Sequence, residues 1–249
     1  PNELTLDVSY ALRLSDQFSM GVAFRYLRSD LRLQALDPNT QAASSFGVDI
    51  SGYYQSEEVA YNDFNGRWRG GFALQNIGPK IKYDDAGREN FIPTTLRLGG
   101  GFDFIFDYYN KLSVTAEVTK LLIPTPAANK YESWIDNNDN GVYDDGDEVV
   151  GSGVAVNNNG DTYEDIGFVE GIFQSFGDAP GGFSEELDEF TWALSAEYLY
   201  QDSFALRAGY FNENEFKGAR KFFTLGAGFK YSTVDIDLSY LFSASKVQN

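Results

Sequence analysis

The sequence predicts an all-β fold, a transmembrane antiparallel β-barrel, and three observations carry that expectation. The first is strict alternation in long arms. From Leu96 to Lys120, LRLGGGFDFIFDYYNKLSVTAEVTK, one parity holds Leu96, Leu98, Phe102, Phe104 and Phe106, then Leu112, Val114, Ala116 and Val118. The other holds Arg97, Gly99, Gly101, Asp103 and Asp107, then Ser113, Thr115, Glu117 and Thr119. Successive strand residues point to opposite faces, so each arm has one apolar and one polar side. Arms of about ten residues suit a tilted crossing of the hydrocarbon core better than soluble strands of about five or six. A polar side holding Arg, Asp and Glu suits a barrel lumen and not the core of a sandwich. The second observation is the order of the connections: tight near Asp16, Asp107, Asp202 and Ser232, long at Asp30, Ile77, Ile123 and Asn212. Outer-membrane barrels have that alternation of brief turns and extended loops. The third is a mean hydropathy of -0.34 with no run near the roughly twenty apolar residues of a spanning helix, a test that a barrel escapes by hiding its hydrophobicity in alternation.

Taken in order, Leu4 to Leu14 alternates Leu4, Leu6, Val8, Tyr10, Leu12 and Leu14 against Thr5, Asp7, Ser9, Ala11 and Arg13. Ser15 to Gln17 is a turn, and Phe18, Met20, Val22, Phe24 and Tyr26 continue the pattern. A polar loop from Asp30 to Ser45 precedes a third strand, Phe46 to Tyr54. The Ser56 to Gly66 connection is longer than its short-turn place predicts, and Arg67 to Asn76 follows with Trp68, Phe72 and Leu74 on its apolar side. Ile77 to Pro93 is an excursion leading into the Leu96 to Lys120 hairpin, which turns at Asp107 to Asn110. The largest insert, rich in Asp, Asn and Gly, runs from Ile123 to about Glu189 (123–189). Strands then resume at Phe190 to Tyr200, Phe204 to Phe211, Phe222 to Tyr231 and Val234 to Phe242. This makes about ten strands in one barrel domain spanning 1–249. With short turns in the periplasm and long loops outside, both chain ends fall at the outer rim. Such barrels normally begin and end in the periplasm, so strands are expected beyond both ends, for about fourteen in all.

The net charge of -18 repels phosphate backbones and excludes sequence-independent nucleic-acid binding. With no His and no Cys, a Ser-His-Asp triad, a Cys nucleophile, a His-ligated metal and thiol redox chemistry cannot be built from this chain. Carboxylates abound, but nothing holds two at a working separation. No enzyme activity and no required cofactor are expected.

Asp136 to Glu148, DNNDNGVYDDGDE, has calcium-loop spacing. Asp136, Asn138 and Asn140 take positions one, three and five, Gly141 gives the turn, Val142 offers a carbonyl, Asp144 falls at nine and Asp147 at twelve. The shorter Asp147 stands where an EF-hand has Glu, and a solvated acidic loop is the alternative. Asn76, Ile77, Gly78 and Pro79, with Pro93 and with Leu121, Leu122, Ile123 and Pro124, lie at the outer strand ends. They read either as a proline-stiffened partner-binding rim or as ordinary strand termination. Arg13, Arg25, Arg67, Arg69 and Arg97, with Asp7, Asp103 and Glu117, share the inward parity as lumen-filling ion pairs or as a solute path. Tyr10, Tyr26, Trp68, Tyr108, Tyr109 and Tyr231 suit an interfacial aromatic girdle.

The strings GRWRGGFALQNIGPKIKY, NFIPTTLRLGGGFDFIFDYYNKLSV and EVTKLLIPTP, with SMGVAFRYLRSDL and AGYFNENEFKGARKFFTLGAGFKY, resemble the PorV (LptO) family of the type IX secretion system. That family is related to the FadL-like fatty-acid channels. The resemblance covers most of the chain outside the Ile123 to Glu189 insert. It implies a FadL-like outer-membrane barrel of about fourteen strands with its long loops at the extracellular face, in contact with outer-membrane lipid and lipopolysaccharide. It also implies that the barrel binds the C-terminal signal domain of secreted cargo, takes cargo from the SprA (Sov) translocon and delivers it to the PorU sortase complex. Lipopolysaccharide deacylation has been associated with the family, and the absence of His and Cys argues that any such effect is indirect. A FadL-like channel for hydrophobic solutes is the alternative function.

Overall fold

The computed structural model describes residues 2–30, 41–83, 89–125, 130–131, 134–135, 137, 148–149, 155–156, 163, 165–179 and 182–244. The alternating segments form β1 (Asn2–Arg13), β2 (Phe18–Asp30), β3 (Ala43–Gln55), the short β4 (Val59–Ala60), β5 (Asn65–Ile77), β6 (Thr95–Ile105) and β7 (Asn110–Leu121). Among the described residues of the insert are four two-residue strands, β8 (Lys130–Tyr131), β9 (Trp134–Ile135), β10 (Glu148–Val149) and β11 (Ala155–Val156), followed by helices α1 (Phe168–Gln174) and α2 (Phe183–Asp188). The pattern resumes as β12 (Phe190–Tyr200), β13 (Phe204–Asn212), β14 (Lys221–Tyr231) and β15 (Val234–Ser243). One antiparallel sheet runs β1-β2-β3-β5-β6-β7-β12-β13-β14-β15, with β4 added to β5. Each long strand therefore pairs with its neighbour in sequence, the up-and-down order of a membrane barrel wall. The two helices are a correction: the insert reads as Asp/Asn/Gly loop in sequence because neither helix is long enough to show a 3.6-residue period.

The two faces of the sheet match the two parities. The apolar row is bare: Leu6 is 63% exposed, Leu194 50% and Leu238 71%. Among the described residues no second layer covers it, which in water would leave a very large apolar patch. Among the described residues the buried apolar ones, Ala43, Ile81, Ile92, Leu122, Ile166, Ala179 and Ala205, lie with the exception of Ala205 at the long-loop end. The hydrophobic contacts that would fill a soluble core are thus left to lipid.

The polar face is cross-linked by charge. Arg25 bridges Asp7 on β1 at 2.5 Å and Asp49 on β3 at 3.6 Å, and Arg97 on β6 lies 3.8 Å from Glu117 on β7. Arg207 on β13 joins Glu197 on β12 and Asp237 on β15. Arg69 Nε on β5 lies 3.0 Å from Asp103 Oδ1 on β6. Both atoms are buried, and the contact is an ion pair without hydrogen-bond alignment. Arg67 reaches Glu58 in the Ser56 connection, and Arg13 reaches Asp16 in the first turn at 3.2 Å. All five arginines singled out in the sequence have carboxylate partners: those of Arg25, Arg69 and Arg97 stand on neighbouring strands of the polar face, and those of Arg13 and Arg67 in the connections.

The tight turns explain the registers at the other end. Asp107 accepts backbone N–H bonds from Tyr109 at 2.7 Å and Asn110 at 2.8 Å, closing the β6–β7 turn as an Asx cap. The Asn110 side-chain amide, then the Tyr109 N–H, hold the Asp107 carboxyl below its usual range. Ser15 Oγ accepts from Phe18 N–H at 3.0 Å in the β1–β2 turn. Beside these turns Tyr61, Phe64, Phe102, Phe104, Phe106 and Trp68 form a chain of ring contacts, with Trp68 and Phe102 centroids 4.7 Å apart. Of the residues expected in an interfacial girdle, Trp68 joins this cluster, and Tyr108 and Tyr109 stack edge-on at the β6–β7 turn.

Candidate functional site

The long-loop mouth is where side chains from distant strands meet the insert. Lys120 lies near the end of β7 on the apolar parity of Val114 and Val118, one position before the strand stops. A lysine there must find anions or leave the wall. Its ammonium is 3.0 Å from Glu186 Oε2 and 2.6 Å from Glu189 Oε2, and the residue is 1% exposed. The rings of Phe176 and Phe190 stand 5.7 and 5.2 Å from the same nitrogen. Glu186 also accepts the Ala179 N–H at 2.8 Å, and Lys217, from the β13–β14 loop, reaches Glu185 at 2.6 Å and Glu189 at 3.2 Å. Burial lowers the Lys217 pKa, but the bonds to Glu185 and Glu189 outweigh it and raise the amine above its ordinary value. Helix α2 is thereby tied to the end of β7 and to the β13–β14 loop.

A second tie is Asp178, which accepts the Thr125 N–H at 2.7 Å just beyond β7. Burial raises the Asp178 pKa, the Thr125 bond opposes it, and the nearby Glu186 and Glu189 carboxylates add to the rise. Because the folded value lies above that of the free carboxyl, the bound proton stabilises the tied state below the free pKa, and that contribution is lost as pH rises through the folded value. The protection factor of the Thr125 amide, its exchange rate taken relative to the intrinsic rate at each pH, is expected to rise on mild acidification. In Asp178→Asn, which keeps an acceptor and removes the buried charge, this site's contribution to the pH dependence should vanish. Unchanged pH dependence in that variant would clear Asp178 of the role. Helix α1 is seated by contact: Gly171 packs so closely that a Cβ there would come 2.8 Å from Phe91 and 2.9 Å from Pro124.

The expected rim residues divide into two groups. Asn76, Ile77, Gly78, Pro79 and Pro93 build a structural knot where β5 meets β3. Asn76 has φ 58°, donates its N–H to Asp49 at 2.7 Å and its amide to the Pro93 carbonyl at 3.1 Å, and accepts bonds from Arg25 and from Thr94 Oγ1 to its carbonyl. Ser45 Oγ donates to the Pro79 carbonyl at 3.0 Å, and the β3–β5 register slips between Val48 and Ile50, with Val48 opposite Ile77. Gly78 is packed against the Phe46 carbonyl with Ile92 beside it, so a Cβ has no room. Gly78→Ala is expected to lower barrel stability by about 1–3 kcal/mol, read as a lower urea midpoint in lipid; an unchanged midpoint would count against the knot.

Leu121, Ile123 and Pro124 instead line a cavity of about 510 Å³ at the mouth. Thr95, Thr119, Thr125, Thr191, Glu189, Glu213, Lys217 and Arg220 complete it. Leu122 turns away and is buried, its N–H donating to the Thr94 carbonyl at 2.7 Å. Arg220 clasps Glu213 through two bonds of 2.7 and 2.8 Å, which hold the Glu213 carboxyl below its ordinary range. Glu189 and Lys217 escape a sequence reading because they come from separate loops, and Glu213 and Arg220, seven residues apart in one loop, because no strand parity relates them. The usable signal was Lys120 itself, a cation on the lipid-facing parity. The calcium-loop residues Asp136, Asn138, Asn140, Val142, Asp144 and Asp147 lie outside the described residues. Among the described residues no cluster of acidic side chains could hold a metal.

No curated protein matches this chain. A solved structure, the "CymD monoaromatic hydrocarbon channel", is similar over 97% of this chain and 68% of its own, at 12% identity and a TM-score of 0.39. The sequence model of the family described as "Type IX secretion system protein PorV" matches residues 1–128, just over half of the 249. That stretch holds β1 to β7, the wall strands with their bare apolar row and ion-paired inner face, and the rim through Pro124. The chain belongs to the PorV family, outer-membrane β-barrel components of the type IX secretion system.

Proposed function

We propose that this barrel binds the C-terminal signal domain of secreted cargo at its long-loop mouth, receives cargo from the SprA (Sov) translocon and passes it to the PorU attachment complex. The mouth assembly carries this reading: α1 and α2 tied by Lys120, Lys217 and Asp178 around an open cavity with a largely apolar lining. The long loops then face the cell exterior, in contact with lipopolysaccharide, and the protein acts without catalysis of its own. Closure of the ring belongs to the same proposal. β1 and β15 are the edges of the sheet, and an edge in lipid needs partners for its ladder groups; a ring of about fourteen strands would supply them.

The test is capture. Protein purified in mild detergent should retain a fluorescent cargo signal domain, and a strain lacking it should leave such cargo unattached. Normal surface display in that strain would sink the proposal. The competing reading, a channel for hydrophobic solutes, gains if liposomes carrying the pure protein take up a long-chain fatty acid. Calcium at Asp136 to Asp147 is a further part of the proposal. Titration with calcium should change the fluorescence of the adjacent Trp134 and be reversed by chelation, and a flat titration would remove it.

A further inference from the structure

The cavity at the long-loop mouth supplies a chemical class for what is bound there, an inference that rests on the cargo-binding reading. Its volume of about 510 Å³ falls within the range of clefts that enclose small ligands, about 300–1,000 Å³. One wall is Leu121, Ile123 and Pro124, and the floor is Thr95, Thr119 and Thr191 from β6, β7 and β12, with Thr119 directly opposite Thr191 in the ladder. Charge is present but cancelled: Lys217 is held by Glu185 and Glu189, and Arg220 by Glu213. In a chain of net charge -18 this is a neutral, apolar recess ringed by hydroxyls.

A free cation entering it would have to displace Lys217 or Arg220 from charge-assisted bonds, and a free anion would meet Glu189 and Glu213. An uncharged apolar group meets neither cost and gains burial against the Leu121, Ile123 and Pro124 wall. The Thr95 hydroxyl already donates to the Pro93 carbonyl at 3.1 Å and the Thr119 hydroxyl to Glu117 at 3.3 Å, so both present acceptor oxygens to the cavity, which suits the backbone N–H groups of an extended peptide. An acyl chain has no polar atoms to meet them.

We propose that this cavity takes a large apolar side chain, of leucine or phenylalanine size, carried on an extended segment of the cargo polypeptide, with the threonines bonding its backbone. The wall made by Glu189 is positioned by Lys120, so Lys120 is a positioning residue for the cavity and does not itself touch the ligand.

The experiment uses the whole protein in nanodiscs and a fluorescein-labelled cargo C-terminal signal domain, followed by polarisation. Thr191→Phe and Thr119→Phe fill the cavity from its floor and are expected to weaken binding by about tenfold or more, with the heat-modifiable mobility of a folded barrel retained. Leu121→Ser, at the half-exposed rim, should weaken it by a smaller factor and serves if neither filled variant folds. Filled variants that bind like the unmodified protein overturn the cavity assignment and leave the cargo reading standing. Displacement of the cargo domain from the unmodified protein by palmitate, but not by a short phenylalanine-bearing peptide, overturns it in favour of a lipid. Failure of the unmodified protein to bind the cargo domain overturns the cargo reading itself.

Discussion

Lys120→Met is expected to release α2 from the end of β7 and to open the segment around Ala179 to Glu189 to hydrogen exchange and protease. The reason is the asymmetry of buried ion pairs. With the ammonium gone, Glu186 and Glu189 are left as carboxylates in a site where Lys120 was 1% exposed and Glu186 6%, and breaking such a pair typically costs about 3–5 kcal/mol. The effect should be local, since the sheet ladder does not depend on the pair. The triple variant K120M/E186Q/E189Q is the control: replacing the stranded charges by neutral groups should recover most of the protection, as removal of both partners of a buried pair often does. Exchange at the Ala179 amide, bonded to Glu186, is the direct readout. Equal exchange in K120M and the unmodified protein would show that the helix is held by something else.

Leu194→Arg and Ser195→Arg, neighbours on β12, are expected to differ by several kilocalories per mole. Leu194 is opposite Ala116 and Tyr210 on the bare apolar parity, and Ser195 is opposite Thr115 and Gly209 on the polar face. A charge on the lipid face near the bilayer midplane costs about 2–4 kcal/mol, whereas on the lumen face it remains in a polar setting. Ser195 lines an interior space whose walls hold Asp103 and Glu197, already paired with Arg69 and Arg207, beside Arg67 and Lys111, so an added guanidinium stays in a polar setting at a modest cost in like-charge repulsion. Urea unfolding in lipid should place Leu194→Arg well below the unmodified protein and Ser195→Arg close to it. Two equal midpoints would mean that the exposed row does not face a bilayer, and the barrel reading would fall with it.

Much of this was readable before the structure, for a local reason. The span predicted as Phe190 to Tyr200 is the observed β12, and Val234 to Phe242 differs from β15 by one residue. Where boundaries moved, chemistry outside the parity rule was responsible. β3 begins at Ala43 instead of Phe46 because Ser44 and Ser45 pair with Arg28 and Leu27 on β2, and serines look like loop. β5 extends to Ile77 through Asn76, whose positive φ is stabilised by bonds to Asp49, Arg25 and Pro93 that no neighbouring residue announces. Of the residues expected at the rim, Leu121, Ile123 and Pro124 line the mouth cavity, Leu122 is buried, and Asn76 to Pro79 and Pro93 form the knot between β3 and β5.

Alternation is a property of consecutive residues, so the chain alone determined the strands, their order, the lipid and lumen faces, and the family resemblance that goes with them. Contacts such as that of Lys120 with Glu186, 66 residues away, depend on how the insert folds back over the mouth. No periodicity encodes such a return. The neutralised cavity, and the role of α2 in walling it, were therefore decided only when the tertiary structure brought β7, the insert and the β13–β14 loop together.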